Sequence, residues 1–356
     1  MPKIQINWRS SNISIIARLA TASAVLGVLL LAAALASLSM GPVSIPVSHV
    51  ASIILEPINL DFATYMRTEE LVIEQLRLPR IIVGALVGMA LGVAGATMQG
   101  LFRNPMADPG IIGVSAGGAL GAVVAIALGI SGMFYQALSL FAFLGAMTAA
   151  FLVYGIATVG GRFSMSTLLL SGVAVSAFFG AIVSAIMVMV PSNEALREIL
   201  FWLTGGLDSR SWEHVRLAGP PILGGAAVIV VLARDLNLLM LGDDEAKSMG
   251  VRVGLIRPGL LAAASLITGV AVAVSGTIAF VGLVVPHMLR LVVGPDHRVL
   301  IPLSAIGGAL FMVIADTIAR TVVQPVEFRV GIITAFVGAP FFIFLLIRNK
   351  RHAEAF

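Results

Sequence analysis

The sequence predicts an all-α integral membrane protein, and three observations predict it. Of its 356 residues 59% are hydrophobic and 11% charged, with a mean hydropathy of +1.04, where a soluble domain carries roughly 25% charged residues. The apolar residues come in runs of about 20, the length of one crossing of a bilayer's hydrocarbon core. The charges fall between the runs. Ten segments result, at roughly 16–39, 81–100, 111–129, 136–158, 166–190, 215–233, 256–275, 279–293, 302–322 and 330–347. No low-complexity linker separates them, so one membrane domain (16–348) is expected between a tail at 1–15 and a tail at 349–356.

The first segment follows Lys3, Arg9 and Arg18 and runs from Leu19 to Leu38. Ala34-Leu35-Ala36 has a faint look of a cleavage site. A signal-peptide core spans about 7–15 residues, so this longer run reads as an uncleaved helix. The loop at 41–76 is acidic, with Glu56, Asp61, Glu69, Glu70 and Glu74. Segment two begins in RLPR (77–80), where Pro79 suits a helix's first turn. Gly84, Gly88, Gly92, Gly95 and Gly100 then recur at spacings that let membrane helices approach closely. It ends in a turn stiffened by Pro105 and Pro109. The stretch 191–214 holds a predicted surface helix, Glu194–Leu203, with Phe201 and Trp202 at the membrane interface. Segment eight is short and contains Pro286, as a tilted or broken crossing would.

An even number of crossings puts both termini on one side. Arg67, Arg77, Arg80, Arg197, Arg210, Arg216, Arg320 and Arg329 fall on the other, leaving 14 of the 22 Lys and Arg residues with the termini. That bias predicts cytoplasmic termini. The pI near 10 comes from scattered basic residues that form no stripe for nucleic acid. Without cysteine there is neither a disulfide framework nor a thiolate metal site. A faint echo links VAGATMQGLFRNPM (93–106) to VSGTIAFVGLVVPHM (274–288); helices entering them in opposite directions would make segments 2–5 and 7–10 an inverted repeat.

No G-x-x-x-x-G-K-[ST] phosphate loop is present, so ATP-driven work needs a partner. Asp316 and Arg320 are the clearest ionisable residues inside a span, near enough on one helix to pair. That sparseness argues against a proton-coupled carrier. Sodium sites built from carbonyls would leave no trace, so an ion-coupled secondary transporter stands as the rival class. An intramembrane enzyme finds no carboxylate pair, ligand cluster or nucleophile–base spacing.

In Leu241-Gly242-Asp243-Asp244-Glu245-Ala246-Lys-Ser-Met-Gly250, the small residues Gly242, Ala246 and Gly250 recur every four positions. They predict a short helix with one flat face, its first-turn acids favoured by the helix dipole. It is either a capped surface helix or one gripped by a partner's groove. Arg80 at a helix start opposes the dipole, so an anion should compensate near Arg77 and Arg80. Glu74 is one candidate and an external acidic partner the other. Val285-Pro286-His287-Met288 invites a haem-ligand reading but reads better as structural, and His214 is a freer yet weaker ligand. Fifteen methionines mostly mean adaptable packing.

The RLPR start, the G-x-x-L-G-x-x-G-x-x-x-Q run and the R-N-P-M-A-D-P-G turn, in that order, resemble the permease subunits of type II ABC importers for iron-siderophores, haem and cobalamin. The resemblance covers nearly all the chain beyond the first ~20 residues. It implies that 241–250 is a coupling helix docked on an ATPase subunit, and that Arg77, Arg80 and Arg320 receive glutamates of an external binding protein. It implies a cytoplasmic gate at Asn104, Met106, Ser164, Met165 and Ser166; Met165 replaces the threonine of the cobalamin-importer pattern, which touches closure or selectivity. The implied assembly holds a second permease copy or close homologue about a two-fold axis, two ATPase subunits and a binding protein, in a bacterial inner membrane. The chain itself would carry no cofactor, resident metal or covalent chemistry. The G-L-F-R-N-P-M-A-D-P-G variant looks most like haem-importer permeases, with ferric siderophore second and cobalamin third.

Overall fold

Each apolar run becomes a helix. The structure is a computed structural model that describes residues 15–56, 62–134, 136–160, 163–323 and 326–353, the side chains of 345, 346 and 348–353 excepted. Residues 1–14 of the expected N-terminal tail, Asp61 and residues 354–356 therefore lie outside the described residues. In chain order the helices are α1 (Ile15–Ser39), α2 (Val47–Leu55), α3 (Arg67–Leu71), α4 (Leu78–Leu101), α5 (Val114–Ala127), α6 (Ala137–Ala157), α7 (Met165–Met189), α8 (Asn193–Leu203), α9 (Trp212–Val231), α10 (Ala233–Leu239), α11 (Asp243–Ser248), α12 (Val253–Ser275), α13 (Val281–Val293), α14 (His297–Thr321) and α15 (Val330–Ala353). Among the described residues there is no strand. Seven helical stretches are long and apolar enough to cross a membrane: 15–39, 67–101, 137–157, 165–189, 212–231, 253–275 and 297–321. The apolar helices 114–127, 281–293 and 330–344 are shorter.

Helix α4 is the axis of the fold. It is buried along nearly its whole length and packs against α14, α12, α13 and α9. The small residues explain how close the partners come. At Gly88 an added Cβ would run into the carbonyl of Gly308, at Gly92 into that of Ser304, and at Gly95 into that of Gly282. Around this core α1, α6 and α7 leave Val28, Leu31, Phe151, Leu170, Phe178 and Val188 exposed. An apolar exterior of this extent suits lipid or a partner rather than water.

The two echo segments meet face to face, α4 against α13. Pro286 has no N–H, so the carbonyl of Gly282, four residues earlier, loses its helical partner. Gln99 supplies one: its Nε2 donates to Gly282 O and Leu283 O, both at 3.2 Å. The expected irregularity of segment eight lies just before α13, where Gly276 and Phe280 both take positive φ near 69°.

Three expectations are corrected. Segment two does not start at RLPR: helix runs unbroken from Arg67 to Leu101, with a π turn at Val72–Arg77 in which Leu78 N–H donates to Ile73 O. Pro79 explains the turn, because it removes an N–H and crowds the preceding carbonyl, and a π turn is the local widening that absorbs such a fault. Arg80 is therefore inside a helix, not at its start. The acidic loop holds a helix of its own, α2. Trp202 faces inward, 6% exposed, while Phe201 alone of the pair is exposed.

Gln99→Leu keeps approximate volume and leaves the Gly282 carbonyl unpaired in the core. It is expected to cost about 1–3 kcal/mol, read as a lower midpoint of thermal unfolding in detergent.

Candidate functional site

The residues singled out in the sequence gather at opposite ends of α4 and α14. At the end holding the C-terminus of α4, the segment α10–α11 is folded back on the helix bundle. Gly242 (φ 146°) and Gly250 (φ 87°) bracket α11 in backbone conformations that L side chains rarely adopt. Ala246 is fully buried. Of the three small residues expected to form one flat face, Ala246 alone is turned into the protein, while Gly242 is half-buried and Gly250 exposed. The outward face is Leu241, Asp244, Glu245, Lys247, Ser248 and Met249, all exposed. Two apolar side chains flanking four polar ones make a surface able to dock.

Asp243 ties this segment to the rest. Arg257 of α12 grips it with two hydrogen bonds, at 2.9 and 2.5 Å, and Arg103 stands 3.9 Å away. Arg257 also lies over the ring of Phe163, 5.7 Å from its centroid. Arg103 donates to Leu239 O at 2.8 Å. Hydrogen bonding from Arg257, then the charges of Arg257, Arg103 and Lys247, hold the Asp243 carboxyl below the ordinary carboxylate range. This contribution is complete above the unperturbed value of about 3.9 and fades only as pH falls through the lowered one.

The predicted gate residues sit in the two turns those arginines reach. Asn104 follows Arg103, and its Oδ1 accepts from Met106 N–H at 3.0 Å. Ser164 follows Phe163 and caps α7, accepting from Thr167 N–H at 3.2 Å. Met165 packs half-buried against the core while Ser166 is exposed. Asp243 links the two turns, to one through Arg103 and to the other through Arg257 over Phe163.

At the other end, Arg77, Arg80 and Arg320 are brought together, yet they are not free. Arg77 is 5% exposed and donates to the carbonyls of Leu38, Ser39 and Val43. Arg320, 3% exposed, donates to Ser37 O and Oγ and pairs with Asp316 at 3.2 Å. A helix's last carbonyls have no intrahelical partner, and these two arginines satisfy those of α1. Arg80 forks onto Asp316 and reaches Glu327 at 2.8 Å and Asp208 at 3.4 Å. Asp208 also pairs with Arg329, whose guanidinium covers Phe201. The anion sought beside Arg77 is therefore not Glu74, whose backbone carbonyl instead accepts from Trp212 Nε1.

A cavity of about 780 Å³ lies between the start of α5, the end of α8, the turn before α13 and α15; it is lined by Asp108, Ser115, Thr204, Thr277, Phe336 and Pro340, among others. Asp108 is its single ionisable lining residue, with Oδ1 accepting from Gly110 N–H at 2.8 Å. Neither histidine of interest faces it. His214 is engaged by Ser211 and Arg210 at the start of α9, and His287 stands edge-on to Phe341. Glu56, Glu70 and Glu74 bring carboxylate oxygens within 4.8 Å of one another at the Arg77 end of the bundle. Scanning the sequence for ligand spacing does not find that grouping.

Buried helices packed through glycine, seven helical stretches long and apolar enough to cross a membrane among the described residues, and an apolar exterior describe a multi-pass membrane protein. Residues 29–348 match the model of the FecCD transport family. The chain is 49% identical over 280 residues (78% of this chain, 74% of the relative) to the cobalamin import system permease BtuC of Halobacterium salinarum. It is 39% identical over 282 residues (77% and 83%) to the hemin transport permease HmuU of Yersinia pestis. A solved inward-facing ABC transporter described as metal-chelate type matches with a TM-score of 0.80 and 32% identity, over 91% of this chain and 97% of that one. The chain belongs to the FecCD family, the permease subunits of type II ABC importers.

Arg77→Ala or Arg320→Ala is expected to strip buried α1 carbonyls of their donors at about 1–3 kcal/mol each, seen as a lower thermal midpoint. Arg77→Lys should recover little, since an ammonium does not span three carbonyls as a guanidinium fork does.

Proposed function

We propose that this chain forms half the translocation path of an ATP-driven, binding-protein-dependent importer of an iron- or cobalt-containing chelate. The observation that carries it is Asp243. A carboxylate on the partner-facing segment contacts Arg257 and stands near Arg103, the residues beside the two predicted gate turns. A push on α11 by an ATPase subunit would be felt in both turns at once. Ten helices cross the membrane in this reading, both termini are cytoplasmic, and segments 2–5 and 7–10 are inverted repeats. A second copy completes the path. ATP is hydrolysed by the partners, since the chain has no phosphate loop, and no nucleic acid is involved.

Two cargoes are favoured by specific observations. The G-L-F-R-N-P-M-A-D-P-G turn favours haem, and the 49% identity to a cobalamin permease favours a corrinoid; ferric siderophores complete the class. Titrating the cognate binding protein with haem, cobalamin and a ferric siderophore decides among them. At the outer face Arg80 is the docking contact, because its partner Glu327 is itself partly exposed. Arg77 and Arg320 act from behind, by fixing α1 beside it.

In proteoliposomes holding permease, ATPase subunits and binding protein, uptake should require ATP. Uptake driven by an ion gradient without the ATPase subunits would sink the reading. Asp243→Ala removes charge-assisted bonds worth about 1.5–3 kcal/mol and is expected to cut ATP-driven uptake about tenfold or more, with ATP hydrolysis persisting.

A further inference from the structure

We infer that Asn237 is the positioning residue that couples the partner-facing segment to α14, and that α14 carries the displacement to the outer arginine–carboxylate network. This rests on the importer reading above and adds a second outlet to it.

Asn237 lies on α10, six residues before Asp243. Its Nδ2 donates to Asp296 Oδ1 at 2.7 Å. Its Oδ1 accepts from His297 N–H at 3.0 Å and from His297 Nδ1 at 2.8 Å. Asp296 in turn accepts from Arg298 N–H at 3.0 Å. The first N–H groups of a helix have no intrahelical partner. Those of α14 are met by its own Asp296 and by a side chain from another helix. His297 is fully buried, its ring lodged against Gly100, where a Cβ would stand 2.7 Å from Nε2. So α10 cannot shift without dragging the start of α14 or uncapping it.

What α14 receives it passes on. It is locked to α4 by backbone approach at Gly88–Gly308 and Gly92–Ser304, so the pair moves as one rod. Asp316 and Arg320 lie about 30 and about 36 Å along it from Asp296, at about 1.5 Å per residue. Asp316 holds Arg80, and Arg80 reaches Asp208 and Glu327. Asp208 belongs to the stretch following Leu203 and Thr204, which line the large cavity. One end of the rod is seated on the segment the ATPase would move, and the other on loops at the cavity's edge.

The test uses the whole complex in proteoliposomes, and measures ATP hydrolysed, cargo moved per ATP, and an outer-face distance. The chain has no cysteine, so labels at Val326→Cys, just past α14, and Met189→Cys, at the end of α7 and off the α4–α14 rod, both at exposed positions, report that distance cleanly. Asn237→Ala should leave ATP hydrolysis running, lower cargo per ATP about fivefold or more for the lost hydrogen bonds, and abolish the nucleotide-dependent distance change. Asn237→Asp should fail likewise, facing Asp296 with a second carboxylate. Combining it with Asp296→Asn exchanges donor and acceptor and should restore coupling, which a purely steric role would not do. A wild-type ratio and distance change in assembled Asn237→Ala overturns the inference. So does failure of the exchanged pair to recover, which keeps the test decisive if Asn237→Ala does not assemble. A wild-type complex that imports without ATP overturns the importer reading as well.

Discussion

A backbone polar group inside lipid must be satisfied within the protein, and the unusual polar side chains of this chain stand where a helix fails to do so by itself. Gln99 donates to the carbonyl that Pro286 orphans. Arg77 and Arg320 donate to the last carbonyls of α1. Asn237 accepts from the first N–H of α14. The π turn before Pro79 solves the same problem with backbone alone. Each side-chain repair joins two elements distant in sequence, so repairing the helices also fixes how they sit against one another.

That double role explains what the sequence displayed and what it hid. Hydropathy marked every long helix, and the glycines of segment two marked the surface that α14 and α13 approach. The pairing of Asp316 with Arg320 was visible because four residues on a helix bring side chains together. Partners far along the chain left no such sign. Arg77 meets residues 34 to 39 positions away, and Arg80 meets Asp316 across 236. The small residues of 241–250 were seen, but a spacing of four does not say whether a face turns outward or inward. Asn237 sat unnoticed in an apolar stretch. A lone amide among leucines, shortly before a helix rich in charge, is the signal that would have found it.

Burial also decides how Arg77, Arg80 and Arg320 can act. Desolvating a guanidinium is costly, and a buried ion pair offsets that cost only with good geometry and filled hydrogen bonds. Arg77 has three carbonyls, Arg320 a carbonyl, a hydroxyl and a carboxylate, and Arg80 three carboxylates. Pulling Arg77 or Arg320 outward would expose the end of α1. Arg80 differs, since among its three carboxylates those of Asp208 and Glu327 are about a third exposed. An incoming anion there exchanges one partly solvated partner for another, and needs no helix end to open.

The partner-facing segment is likewise held by two fastenings of unequal kind. Asp243 has a side chain 44% exposed, and water and salt weaken an ion pair at that exposure. The Asn237 junction pairs a neutral amide with a buried histidine and a capping carboxylate. Its histidine is fully buried, so parting would leave the first N–H and the ring N–H of His297 without their acceptor. In the importer reading, a displacement of α11 would reach the turns beside Arg103 and Phe163 through Asp243, and α14 through Asn237. Salt would weaken the first route more than the second, because the contact of α11 is an ion pair open to water and the contact of α10 is an amide meeting a buried histidine.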